Sequence, residues 1–299
     1  MNNPLVSIIV RTKDRPKLLK RALQSIAAQT YRPLEVIIVN DGGCDLDIEE
    51  IRTILGDVSL NYIRFEKNTG RAHAGNAGIE YSKGGYIGFL DDDDEFYPEH
   101  VLMLVKFLEQ SDYKVAYTDA FFVYRNYDAD TCGINDERKV LAFSHDFDYR
   151  RLIFENYIPL MCLLFSREAI IGSGFFDTSL ELYEDWDLLI RIGDKFPFQH
   201  IKKVTANYNQ WSSELQISQS NKDHDFIRRS CLNVFSKHID KITLPRVYEY
   251  IEENKIAKRN HVNELESALK HKGVQVDELE SALKHKGVQV DELEKALKH

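Results

Sequence analysis

The chain has 299 residues, 43% of them hydrophobic and 29% charged, which is enough to bury one large core or two smaller ones. Its formal net charge of −9 argues against a general nucleic-acid binder. No apolar run reaches the roughly 18 residues of a membrane span, and Cys44, Cys132, Cys162 and Cys231 lack the paired spacing of a zinc site or a disulfide framework.

The opening MNNPLVSIIVRTKDRP has a short apolar run followed at once by charges, so no secretory leader is expected and a reducing cytoplasm fits. Leu5–Val10 reads as a buried strand. Leu18, Leu19, Ala22, Leu23 and Ile26 then fall at helical spacing. Leu34–Val39 is a second strand, closed by the turn cluster Asn40-Asp41-Gly42-Gly43. A weaker helix over Ile48–Leu55, a third strand over Leu60–Phe65, a small-residue helix over Gly70–Tyr81 and a fourth strand over Tyr86–Leu90 follow. Strands alternating with helices predict an α/β fold with a mostly parallel sheet and right-handed crossovers. In such sheets ligands bind beyond the carboxyl ends of the strands. Arg11-Thr12, Asp41 and Asp91–Asp94 all sit at such ends.

The most informative stretch is YIGFLDDDDEFYP, Tyr86 to Pro98. Four carboxylates at the end of a buried strand repel one another, and desolvation makes that worse. A hard divalent cation would relieve the repulsion, because Mg²⁺ and Mn²⁺ prefer oxygen ligands and commonly share them between carboxylates and substrate phosphates. A solvated acidic turn capping the helix that begins near Pro98 is the plain alternative.

Further on, Val101–Leu108 reads as a helix, Lys114–Thr118 as a strand, and 120–145 as a hairpin or loop. Tyr157–Phe165 is apolar, and GSGFFD over 172–177 is a turn-rich link. The helix opening at Tyr183-Glu184-Asp185-Trp186-Asp187 carries acids in its first turn, where the positive helix end favours them. Further helices are expected over 224–238 and 245–258. From Leu265 the unit LESALKHKGVQVDE recurs every 14 residues, or two heptads. Val262, Leu269, Val276, Leu283, Val290 and Leu297 form an a series, with Leu at alternate d positions and Lys272 and Lys286 between. The tail reads either as a coiled-coil helix that joins copies through 262–297, or as three short helices broken at Gly273 and Gly287.

Taken in order, VSIIVRTKDRP, EVIIVNDGG, NTGRAHAGNAGI, GGYIGFLDDDDEFYP, GSGFFD and YEDWDLLIR resemble a family 2 glycosyltransferase with the GT-A fold. The resemblance spans about 4–215 and does not reach the repeat tail. It implies a Rossmann-like catalytic domain over 1–215, with a nucleotide-sugar half (1–119) and an acceptor half (120–215); after it the residue pattern gives a helical extension over 216–260 and the repeat tail over 261–299.

By the same resemblance, Arg11 and Thr12 would line the nucleotide pocket and Asp41 would hydrogen-bond the base or ribose. Arg71 and Asn76 would reach towards the nucleotide or its phosphates. Asp91, Asp92 and Asp93 match the DXD motif, with Asp93 binding Mn²⁺ or Mg²⁺ directly and Asp91 meeting ribose or a metal-bound water. Asp94 would face acceptor or sugar. Asp185 matches the base that activates the acceptor. Glu184 falls in the same acceptor pocket, and Trp186 either packs there or fills the core. The chain departs from the family pattern in two places. Arg11-Thr12-Lys13-Asp14-Arg15 lacks an aromatic residue to stack on the base, and Tyr208-Asn209-Gln210-Trp211 stands where many members carry an arginine. The second departure leaves the ligand of the departing diphosphate unassigned.

The implied activity is metal-dependent inverting transfer of a sugar from a nucleotide-diphosphate sugar, a UDP-sugar by family frequency, to a hydroxyl of a glycan or lipid-linked glycan. The implied setting is bacterial surface polysaccharide synthesis, in the cytoplasm or peripherally at the inner face of the membrane. Two other classes compete. A nucleotidyltransferase should show a glycine-rich phosphate loop after the first strand, which Arg11–Arg15 is not. A non-catalytic scaffold acting through the tail would not need the acidic motifs.

Overall fold

The computed structural model describes residues 3–128, 133–211, 224–256 and 259, without side chains over 126–137. The repeat tail over 261–299, with its coiled-coil and oligomer expectation, lies outside the described residues, as does Cys132. Two compact units are present, Met1–Ile242 and Thr243–His299. The second is described as a helix over 244–256. No helix among the described residues is long and apolar enough to cross a membrane.

The first unit is built on one mixed sheet. Its strands are β1 (Val6–Thr12), β2 (Leu34–Asn40), β3 (Ser59–Arg64), β4 (Tyr86–Asp91), β5 (Glu95–Phe96), β6 (Val115–Asp128), β7 (Gly133–Phe143), β8 (Leu163–Ser166) and β9 (Phe198–Trp211). The order across the sheet is β3-β2-β1-β4-β8-β6-β9-β5, with β7 paired to β6. β1 to β4, β6 and β9 run one way, and β5, β7 and β8 are antiparallel to their neighbours. The mostly parallel α/β expectation is met in this Rossmann-like sheet, and the 120–145 segment is the β6–β7 hairpin.

β1 and β2 are buried along their whole length, as unbroken apolar runs should be when helices cover both faces of a sheet. The helices are α1 (Pro16–Ala27), α2 (Ile48–Leu55), α3 (Arg71–Tyr81), α4 (His100–Glu109), α5 (Tyr149–Phe154), α6 (Arg167–Ser173), α7 (Glu184–Gly193) and α8 (His224–Lys237). Pro16 starts α1 at a position where a missing N–H costs nothing, and Leu18, Leu19, Ala22, Leu23 and Ile26 form its buried face. α3 has almost no amphipathic contrast. It docks because it is small: a Cβ at Gly78 would come within 2.4 Å of Ile9 Cγ2 on β1.

α8 belongs with the first unit. Its Lys237, and His238 just after it, contact the buried Asp187 of α7 at 2.8 and 2.9 Å, and Phe235 packs edge-on against Trp186. The boundary between the two units falls after Ile242.

Candidate active site

The register of the parallel strands sets the site. Arg11 stands beside Val39 and Asp91, and Thr12 beside Asn40. The carboxyl ends of β1, β2 and β4 therefore bring Arg11, Thr12, Asp41 and the acidic loop to one edge. A pocket of about 460 Å³ opens there, within the range of roughly 300–1,000 Å³ usual for small-molecule sites. Arg11, Thr12, Asp41, Arg71, Asp91, Asp93 and Asp94 all line it.

Asp41 is held by the loop that leads into α3. It accepts from the backbone N–H of Thr69 (2.7 Å) and Gly70 (2.9 Å) and from Thr69 Oγ1 (3.0 Å). Gly42 makes this possible, because its φ of 69° is left-handed and a Cβ there would meet Asn68 N at 2.3 Å.

The acidic loop is compensated unevenly. Arg11 Nη2 donates to Asp91 Oδ1 at 2.8 Å. Burial opposes charge on Asp91, but Arg11, with Arg71 and Arg15 nearby, holds its carboxyl below the usual carboxylate range. Asp92 is fully buried, accepts from Thr12 Oγ1 at 2.6 Å and pairs with Arg15. Burial nevertheless pushes it up to about 7, with Arg15 offsetting and Asp93 and Asp91 adding to the rise. Asp93 is raised by burial, which Arg15 at 2.8 Å only partly counters. Asp94 is buried, accepts from the backbone N–H of Asn209 at 2.7 Å, and is raised well above the usual range by burial and then by its acidic neighbours. Negative charge is thus in excess around Asp92–Asp94.

α7 begins just after the lining residues Glu181 and Leu182. Tyr183 precedes it with φ 66°, a left-handed conformation unusual for a bulky residue, and swings the chain so that Glu184 and Asp185 open the helix. Glu184 is buried and joins two arginines, accepting from Arg11 Nη1 and Arg71 Nη2 at 3.0 Å each. Asp185 is half-buried. It accepts from the Trp186 backbone N–H (2.8 Å) and Asn156 Nδ2 (3.3 Å), and among the described residues no lysine or arginine pairs with it. Burial, then the adjacent Glu184, raise its pKa against the pull of Arg71 and Arg11.

Five predicted site residues sit elsewhere than the pocket lining. Asn76 exchanges two hydrogen bonds with the Phe176 backbone (2.8 and 2.9 Å), tying α3 to the GSGFFD link instead of facing a ligand. Asp92 is turned inward. Glu184 serves as the clamp between two arginines. Trp186 is 3% exposed, donates to Leu152 O at 2.6 Å and packs against Tyr183, which places it in the core. Asp185 is also absent from the lining, although Glu181 and Leu182 just before it are present.

Sequence reasoning missed Arg15, Asn68, Tyr208 and Asn209, which line the pocket. Asn209 Nδ2 also donates to Asp93 O at 2.8 Å. The signal existed for two of these, since Tyr208 and Asn209 fill the place of the missing family arginine. Burial and the acidic loop raise the Tyr208 phenol, so it stays protonated and available as a donor.

Residues 7–169 match the family model described as glycosyl transferase family 2. The chain belongs to this family. An uncharacterized glycosyltransferase, YwdF, of Bacillus subtilis is 30% identical over 68% of this chain and 73% of its own length. The putative colanic acid biosynthesis glycosyl transferase WcaA of Escherichia coli is 27% identical over 80% of this chain and 83% of its own. Chondroitin synthase of Pasteurella multocida is 28% identical over 77% of this chain, which spans only 23% of that enzyme. Among solved structures, S. aureus TarS 1-349 in complex with UDP-GlcNAc matches with a TM-score of 0.60 at 16% identity, over 77% of this chain and 66% of that one. The mannosyltransferase PcManGT from Pyrobaculum calidifontis, in complex with GDP-Man and Mn²⁺, matches at 0.53 and 15% identity, over 86% of this chain and 81% of that one. These structures agree with this glycosyltransferase in fold. The family model ends before α7, so the reading of the Glu184-Asp185 pair rests on this structure's own geometry.

Proposed function

We propose that this glycosyltransferase moves a sugar from a nucleotide-diphosphate sugar to a hydroxyl of a glycan acceptor, with a divalent cation and with inversion at the anomeric carbon. The observation that carries the proposal is the presence of two unlike acidic segments near one edge of the sheet. One is the acidic loop at the end of β4, which lines the pocket, and the other, just after the lining residues Glu181 and Leu182, holds a carboxylate, Asp185, raised above its usual range and with no lysine or arginine paired to it among the described residues.

The donor set suits a hard cation. Asp91 and Asp93 offer oxygen ligands at the pocket, and the raised carboxylates of the loop mark uncompensated negative charge. Among the described residues no three His, Cys, Asp or Glu groups form a complete metal cage. That pattern agrees with a cation shared between one or two carboxylates and the substrate's phosphates. Asp93, with Asp91 beside it, would hold Mn²⁺ or Mg²⁺, which when bound acts as a Lewis acid on the leaving diphosphate.

The chain's own residues supply the rest. Asp41, fixed by three hydrogen bonds, presents its carboxylate to the base or ribose. Arg11 and Arg71, joined through Glu184, form a cationic rim for the phosphates. Asp185 takes the proton of the acceptor hydroxyl as that oxygen attacks from the face opposite the diphosphate. A raised pKa makes it a stronger base than an ordinary aspartate.

Relatives named for colanic acid and chondroitin synthesis support an acceptor that is a growing bacterial surface polysaccharide. The neighbour with UDP-GlcNAc supports a UDP-sugar donor. The test is a screen of nucleotide sugars read by released nucleoside diphosphate, with and without chelator. Turnover of at least one donor, abolished by chelator and restored by Mn²⁺ or Mg²⁺, is expected. Undiminished turnover in chelator would remove the metal from the scheme.

A further inference from the structure

We infer that Arg15 is the resident counter-ion of the acidic loop, and that a divalent cation must displace it from Asp93 before the donor's diphosphate can be seated. This inference rests on the metal-dependent reading above. Asp14, with a left-handed φ of 56°, turns the chain between β1 and α1. Arg15 follows at once as the residue that precedes α1, and it lines the pocket.

The guanidinium divides between two carboxylates in an unequal way. Nε reaches Asp92 Oδ2 at 3.2 Å and Nη2 meets Asp92 Oδ1, so two donors grip one carboxylate. Nη1 alone reaches Asp93, at 2.8 Å to Oδ2. The two partners also differ in access. Asp92 is at 0% exposure and has Thr12 as a further donor, whereas Asp93 keeps 17% and faces the pocket.

These differences decide which arm lets go. Breaking a two-point hold on a buried anion leaves that charge uncompensated, which is costly. Breaking a single contact to a carboxylate that is partly open to the pocket costs less, because water or another cation can replace it. A hard cation that takes Asp93 competes with Nη1 for the same oxygen, and two cations at that distance repel. Nη1 therefore releases while Nε and Nη2 keep their grip on Asp92. The freed N–H edge stays at the pocket wall, fixed in place, with a geometry suited to phosphate oxygens. Arg15 thus supplies the diphosphate contact that the Tyr208–Trp211 segment, lacking an arginine, does not. It acts as a positioning residue whose availability is set by the metal.

The test is Mn²⁺ binding to the full-length protein without donor, read from the EPR signal of free Mn²⁺. Arg15→Gln removes the competitor and should tighten Mn²⁺ binding by about tenfold, the scale of one hydrogen bond to a charged group. Arg21→Gln is the control. Arg21 pairs with Glu95 at 2.6 Å, just beyond the loop, and among the described residues it does not touch Asp93. It removes the same charge without removing a competitor, so a change within about twofold is expected from a screened charge alone. Arg15→Lys keeps a cation for Asp92 but cannot reach both carboxylates. It should tighten binding severalfold, and it serves if the Gln variant does not fold. Wild-type affinity in both Arg15 variants overturns the inference, as does equal tightening in Arg21→Gln. If no form binds Mn²⁺, the metal reading falls and this inference with it. If wild type binds and the Arg15 variants match it, only this inference falls.

Discussion

The loop at the end of β4, which lines the pocket, and the first turn of α7, which follows the lining residues Glu181 and Leu182, are both runs of acids, yet they handle their charge in opposite ways. In the loop, Asp91 and Asp92 each meet an arginine, Asp93 shares Arg15 with Asp92, and Asp94 has a backbone amide. The loop is short of positive charge at the positions that face the pocket. At α7, Glu184 takes two arginines and Asp187 takes Arg191, Lys237 and His238, while Asp185 between them meets amides only. Under the proposed function the first arrangement would suit a cation and the second would keep one carboxylate basic. Acidic residue counts do not separate these roles; the assignment of each carboxylate's partners does.

The largest effect should come from the loop. Asp93→Ala removes the ligand through which a metal would act and relieves repulsion in the metal-free protein. Transfer should fall by about 10³-fold or more, since Lewis-acid stabilisation is worth several kcal/mol, while circular dichroism and melting temperature stay near wild type. A variant that kept its rate would show the two acidic regions to be alike in being structural.

Asp185→Asn tests the other side. It preserves size and hydrogen bonding but removes basicity, so transfer should fall by about 10²–10⁴-fold with donor affinity nearly unchanged. The pH profile sharpens the point. A base works when deprotonated, so the rate should fall as pH drops through the pKa of Asp185. Because that value is raised, the acid limb should lie above the roughly 3.9 of an ordinary aspartate. The limb should vanish in the Asn variant's residual rate.

Sequence reading recovered the strand ends and failed on partners. The alternating pattern located β1 to β4 closely, because continuous apolar runs and helical spacing are local properties. It placed Arg11, Thr12, Asp41 and Asp91–Asp94 on one edge, because parallel register follows from the topology. Arg15 could not be assigned, since its partners are 77 and 78 residues away. The link between Arg11 and Glu184 spans 173 residues. The hydrogen bonds of Asn76 to the Phe176 backbone were not legible either, because they depend on how the GSGFFD link crosses α3. Tyr183 carries no signal of its left-handed conformation. Trp186 was left undecided between sugar site and core, and it is 3% exposed in the structure.

A smaller effect, on stability and not on chemistry, is expected at Asp187. Burial opposes its charge, but hydrogen bonds from His238 and Lys237 and the charge of Arg191 hold its carboxyl far below the usual range. A depressed carboxyl contributes stability that is present above its unfolded value, about 3.9, and is lost as pH falls through the folded value. Asp187→Asn should therefore lower stability by about 3 kcal/mol at neutral pH and by less in acid, in urea titrations at the two pH values. Equal losses at both would mean that its charge is not what joins α7 to α8.

In the proposed reaction the β4 loop and Asp185 act on opposite faces of one sugar. Proton NMR of the first-formed linkage, with a donor of known anomeric configuration, tests this most directly. The account predicts the opposite configuration in the product. A product that retains the donor's configuration would contradict it, because retention has no need of a base placed across the sugar from the diphosphate.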